Sequence, residues 1–259
     1  MDFGMPTLIE VKSIENCAEL CRELELDFIE FNMNMPEYQA ENIDTARFRE
    51  IADKYGIYYT IHLDENLNPC DFNEKVAAAY TETVLQTIEV AKLLDVPILN
   101  MHLNSGVWFT LPDKKVYLFE EYEAEYLRKM ADFRDACTAA TGKRNIKICV
   151  ENTSAFQKKL GESGLAVLLE SDVFAATFDI GHDAGSGFKQ RPLIDKHISR
   201  LRHMHIHDAR GKDNHLPLGE GELELEKYFD LAKEQNCRCV LEVKTVDGLR
   251  QSVEWVRKR

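Results

Sequence analysis

Short runs of apolar and β-branched residues alternate along this chain with longer stretches in which apolar residues recur at helical spacing. The first pattern suits a buried strand, the second an amphipathic helix, and their regular succession predicts βα units around a parallel sheet. Predicted strands are Pro6–Glu10, Asp27–Asn32, Ile57–His62, Pro97–His102, Ile146–Glu151, Ala175–Asp179, Leu201–His205 and Cys237–Glu242. Predicted helices are Ile14–Leu24, Thr45–Tyr55, Asn73–Leu94, Val116–Ala140, Gly164–Leu169, Pro192–Ser199, Leu225–Gln235 and Val246–Val256. Eight of each predicts closure into an α/β (β/α)8 TIM barrel.

Local signals agree. Asp71 precedes Glu74 by three residues in the manner of a capping box, and Gly56 and Gly142 follow predicted helices as left-handed caps would. No Ser/Gly/Pro-rich linker, low-complexity tract or repeat beyond the βα rhythm divides the chain, and its 259 residues match the usual length of one barrel. A single domain over 1–259 is expected. The long loops follow the third, fourth, sixth and seventh strands, so they gather at the C-terminal face, where such barrels place their chemistry.

Polar residues at strand ends change the picture from fold to chemistry. The segment Leu201–Leu223 carries four His and two Asp, and other strands end in TIHLDE, NMHLNSG, CVENTS, TFDIGHD and VLEVKT. Imidazole and carboxylate are the ligand types of Zn, Mn and related divalent ions. The candidate ligands are His62, His102, Glu151, Asp179, His182, His205, Asp213, His215 and Glu242. A lone His at a strand end is more commonly a hydrogen-bonded core or surface residue. A buried carboxylate is different, because its charge is costly out of water unless paired or coordinated. Asp213 and His215 are two apart, so in an extended loop they share a side. Asp179 and His182 straddle Gly181 and can reach different ions. His205 and His207 also share a face; His205 is the expected ligand, and His203 and His207 have supporting roles.

Composition sets limits. The net charge of −13 disfavours a broad nucleic-acid surface, because phosphate backbones are held mainly by Lys and Arg. Hydrophobic residues at 44% and charged residues at 30% are in the globular range, and no apolar run is long enough for a membrane span. The N-terminus MDFGMPTLIEV lacks a basic segment followed by a long apolar one, so a cytoplasmic location is expected. Seven scattered Cys without a Cys-x-x-Cys pair predict reduced thiols, with Cys17, Cys149 and Cys239 as small core residues.

The motifs ENTS (151–154), FDIGHD (178–183), MHIHDA (204–209), DNHLPLGEGEL (213–223) and LEV (241–243) resemble, in this order, the xylose isomerase-like TIM barrels. That superfamily includes the endonuclease IV-like enzymes (AP endonuclease family 2) and the sugar-phosphate isomerases and epimerases. The resemblance runs from the third strand to the eighth. Its endonuclease IV-like branch implies up to three zinc ions: one on His62, His102 and Glu151; a second on Glu151, Asp179, His205 and Glu242; a third on His182, Asp213 and His215. Its epimerase-like branch implies one Mn, Mg, Co or related ion on Glu151, Asp179, His205 and Glu242, with Glu151 and Glu242 exchanging a proton.

The complete ligand inventory makes a zinc phosphoesterase the first expectation, with a sugar or sugar-phosphate isomerase/epimerase as the alternative. The loops NMNMPEYQAENID and DENLNPCDFN are acidic or neutral where the DNA-repair members carry basic and aromatic residues, which points to a small phosphorylated or sugar substrate rather than DNA. Lys189, Arg191, Arg210 and Lys212 are candidate substrate contacts. A non-catalytic ligand-binding barrel is the third reading, disfavoured because buried carboxylates without a task are costly. Oligomeric state is not legible in the sequence.

Overall fold

The computed structural model describes residues 1–259. Eight parallel strands form a closed barrel: β1 Asp2–Pro6, β2 Phe28–Asn32, β3 Tyr58–His62, β4 Ile98–His102, β5 Lys147–Glu151, β6 Phe174–Asp179, β7 Leu201–Ile206 and β8 Arg238–Leu241. Each strand neighbours the next in sequence, and β8 closes on β1. Helices on the outside connect them, as right-handed βα crossovers require. No helix is long and apolar enough to cross a membrane.

Helix starts and stops have identifiable causes. Ser13, Asp44 and Thr245 cap their helices by accepting backbone N–H bonds, and Gly56 ends the Thr45–Tyr55 helix at φ 66°. Asn73, not Asp71, caps the Glu74–Leu93 helix; the Asp71 carboxylate instead accepts the Asn73 N–H.

Three predicted elements shift. The first strand lies at Asp2–Pro6 rather than Pro6–Glu10: Gly4 pairs in parallel with both β2 and β8, and Pro6 pairs with Glu30 of β2. Thr7–Val11 forms the bend leaving the strand, with Val11 N–H bonded to the Leu8 carbonyl. In place of one helix from Val116, the chain forms a hairpin, Trp108–Thr110 against Lys115–Tyr117, then a turn of helix at Leu118–Glu121 and a long helix at Glu123–Thr141. The next helix starts earlier than predicted, at Lys159, and runs through Gly161 and Gly164. Those glycines are packing residues: a Cβ on Gly164 would come within 2.3 Å of the Tyr126 hydroxyl.

Alternation along each strand divides the side chains. Leu99 and Met101, Ile148 and Val150, and Phe174, Ala176 and Phe178 join the large core between barrel and helices. The intervening positions point into the barrel. At its floor, Ile98, Cys149 and Ala175 form a small apolar cluster of their own. Two residues further along the same strands come Asn100, Glu151 and Thr177, and the barrel interior turns polar. All seven Cys are buried and free.

Candidate active site

Register brings the strand-end residues into one layer. His102 lies opposite Glu151 across β4–β5, and Asp179 opposite His205 across β6–β7. Glu151, Asp179 and His205 are each at most 1% exposed, and the Glu242 side chain, just beyond β8, is 15% exposed. His205 is the hub. Its Nδ1 lies 3.1 Å from Glu242 Oε2, 3.4 Å from Glu151 Oε2 and 3.9 Å from Asp179 Oδ2. Despite this proximity the atom is buried without a hydrogen bond of good alignment.

Further imidazoles surround Glu151. His102 Nε2 approaches its Oε2 to 3.3 Å, His62 Nε2 to 3.6 Å, and His182 Nδ1 its Oε1 to 3.2 Å. Asn100 holds the same carboxylate through its amide at 2.5 Å and accepts from the Thr177 hydroxyl at 2.6 Å. Asp179 Oδ1 accepts the His182 N–H at 2.6 Å, and a His207 Nε2–H donates to Oδ1 at 3.1 Å. The tautomer follows from His207 Nδ1, which accepts the backbone N–H of His215 at 2.8 Å. Gly181 makes room for that ring, since a Cβ there would lie 1.9 Å from His207 Cε1.

The electrostatics show a pocket that demands positive charge. Burial opposes ionisation of Glu151, but His102 and His205 outweigh it and hold its carboxyl well below the ordinary range. Glu242 is lowered in the same way against burial, chiefly by His205, and Asp179 by His207 and His182. In return, and again against burial, Glu151 pushes His62 up to about 9, while Asp179 and Glu151 push His182 up to about 10. His215, desolvated and facing Glu242, is pushed down to about 4 by its burial.

A divalent cation fits this site. Glu151, Asp179, His205 and Glu242 present three carboxylates and an imidazole nitrogen with no hydrogen bond to lose, a nitrogen-and-oxygen donor set suited to Zn, Mn or Co. His182 lies within reach of Glu151 and Asp179, and His62 groups with Glu151 and His205.

The remaining candidates take separate places. Asp213 does not join His182 and His215: it is exposed on the Asp208–Arg210/Asp213–Leu216 hairpin, opposite Arg210. The two-residue spacing fails to align Asp213 with His215 because His215 adopts φ 55°, which breaks the alternation of an extended strand. His215 instead stacks on His207 at 4.2 Å, with its Nδ1 3.0 Å from the Glu242 carbonyl oxygen. The four cations also divide. Lys212 lines a cavity of about 490 Å³ with His102, His182, Thr153, Gln157 and Asn214, and no hydrophobic residue lines it. Arg191 is engaged by Asp195 at 2.6 Å, Arg210 bonds the Glu220 carbonyl, and Lys189 is exposed.

Glu30 went unnoticed in the sequence. It lies inside the apolar-looking FIEFN and bonds both His203 and His205. The one available signal was a carboxylate at an inward position of a strand read as buried.

Comparison with known proteins gives a family. A family model described as xylose isomerase-like TIM barrel matches residues 18–259. An uncharacterised protein of Methanocaldococcus jannaschii is 26% identical over 245 residues, covering 90% of this chain and 80% of that protein. Among solved structures, a D-tagatose 3-epimerase-like protein is 25% identical with a TM-score of 0.80, covering 100% of this chain and 96% of that one. The IolI protein with a bound zinc atom shares the fold at a TM-score of 0.75 and 15% identity, covering 100% of this chain and 97% of that one.

Proposed function

Because the chain belongs to the xylose isomerase-like TIM-barrel family, we propose that it is a divalent-metal-dependent isomerase or epimerase of a small sugar or sugar-like carbonyl compound. The observation that carries this reading is His205 Nδ1, buried without a hydrogen bond and faced by Glu151, Asp179 and Glu242. These residues would hold one cation. When bound, it supplies Lewis-acid polarisation of a carbonyl and its adjacent hydroxyl, which acidifies the neighbouring C–H. Glu151 and Glu242, approaching His205 from β5 and β8, are the acid/base pair. One carboxylate takes the proton from the carbon beside the carbonyl, and the other carboxyl returns a proton to the opposite face. His62, His102 and His182 keep the carboxylates ionised and offer hydrogen bonds to substrate hydroxyls. The polar cavity beside them suits a polyol chain, and Lys212 gives it one cation.

A D-tagatose 3-epimerase-like structure among the neighbours supports the same class. The second reading, a zinc phosphoesterase, retains one favourable observation: His62 and His102 flank Glu151 as a further ion would require. The separation of Asp213 from His182 and His215 weighs against the three-ion version.

The test is solvent-deuterium incorporation. The chain, purified without chelator and assayed for metal content, is incubated in deuterium oxide with a panel of ketoses and aldoses and, separately, with small phosphoesters. Exchange of the proton beside the carbonyl with about one ion per chain is the expected result. Phosphoester turnover with two or three zinc ions and no exchange would replace this reading with the second.

A further inference from the structure

Beneath the proposed cation site lies a charged group that the acid/base chemistry does not use. Glu30, on β2, is 2% exposed and lies three strands from Glu151 around the closed sheet. Its Oε1 lies 2.9 Å from His205 Nε2, its Oε2 2.8 Å from His203 Nε2, and the Thr60 hydroxyl donates to Oε2 at 2.9 Å. Burying a carboxylate here is costly, and three donors offset that cost.

We propose that Glu30 is a positioning residue for the metal site, fixing His205 as the Nε2–H tautomer so that its Nδ1 lone pair is presented to the cation.

An ionised carboxylate only accepts hydrogen bonds, so Nε2 of His205 must carry the proton in this contact. The nitrogen left over is Nδ1, the atom that faces Glu151, Asp179 and Glu242. The negative charge of Glu30 also raises the electron density of the ring, which strengthens Nδ1 as a ligand.

His203 explains why a neutral amide could not do the same. Its Nδ1 is buried with no partner, so the proton of a neutral His203 ring belongs on Nε2, toward Glu30. Both imidazoles therefore donate, and Glu30 must accept twice. A glutamine would place its NH2 against one of these donors or force the His203 proton onto Nδ1, leaving an unpartnered N–H in the interior. The arrangement belongs to this chain's HMH sequence at 203–205 together with a carboxylate on the second strand.

This inference rests on the metal-site reading above, and zinc affinity tests it without reference to turnover. Zinc binding to the intact chain and to Glu30→Gln is measured by competition with a chromophoric chelator, and the tautomer of His205 is read in the zinc-loaded wild type from long-range 15N–1H NMR couplings. The expected results are about 10–100-fold weaker zinc binding in Glu30→Gln and an Nε2–H tautomer in the wild type. Thr60→Val, which removes only one donor to Glu30, should weaken binding in the same direction by a smaller factor, and it serves if Glu30→Gln does not fold. Unchanged affinity in the folded variants, or an Nδ1–H tautomer in the loaded wild type, overturns the proposal; a purely structural Glu30 would lower thermal stability and leave both readouts unmoved. Wild-type protein that takes up no zinc, manganese or cobalt would overturn the metal-site reading along with it.

Discussion

The floor and the mouth of the barrel are built from the same strands two residues apart, and they have opposite characters. Ile98, Cys149 and Ala175, on three adjacent strands, make the floor apolar on that side of the barrel. Asn100, Glu151 and Thr177, the next inward positions, begin a polar stack that ends in His102, Asp179 and His205. The floor is favourable as it stands, because it removes apolar surface from water. The mouth is favourable only if its charges are matched, since buried carboxylates without positive charge are costly. One interior thus separates the part that secures the fold from the part that is poised to bind.

Substitutions at the two levels should therefore fail differently. The largest effect is expected from Glu151→Gln, which removes an acid/base group: turnover on the responsive substrate should fall by about 10²–10⁴-fold with the barrel still folded, checked by steady-state kinetics and circular dichroism. Ile98→Ala at the floor should do the reverse. Denaturant unfolding should show a loss of about 2–5 kcal/mol, while metal content per folded chain stays the same.

A third prediction uses pH. In chelator-treated protein, His62 and His182 are raised to about 9 and about 10 from an ordinary value near 6.5, so their stabilisation is complete below about pH 6.5 and is lost as the pH rises through 9 and 10. The lowered carboxyls of Glu151 and Glu242 act with the opposite sign and withdraw stability in acid. Added divalent metal should reverse the alkaline trend, because a cation displaces the protons and is bound more tightly as pH rises. Melting temperatures from pH 6 to 10, with and without zinc, check both signs; a metal-free protein whose melting temperature rises through this window would contradict the charge assignment. The smallest effect is expected at Asp213→Asn. Exposed and apart from the cluster, this residue should leave metal stoichiometry unchanged by mass spectrometry of the native protein.

Much of this contrast was legible before any coordinates. Eight strands followed from periodicity, and the residues at their ends named most of the mouth, because a strand end in a parallel barrel has only one place to go. What escaped depended on relations between strands or on single dihedral angles. Glu30 sits mid-strand between Ile29 and Phe31, and only the barrel's closure brings it to His203 and His205. The pairing of Asp213 with His215 assumed extended backbone, and one left-handed residue cancelled it. The first strand was misplaced because TLIEV is more apolar than DFGMP, although the latter pairs with both neighbours.

The four residues proposed to hold the cation come from β5, β6, β7 and the end of β8, which are consecutive around the barrel. The ion would thus act as a clasp on one contiguous half of the wall, from Lys147 to Glu242, and leave the half built from β1 to β4 without a direct tie. Amide hydrogen exchange should register that asymmetry. Removing the ion should speed local opening in the clasped half, whose protection then falls toward that of the other.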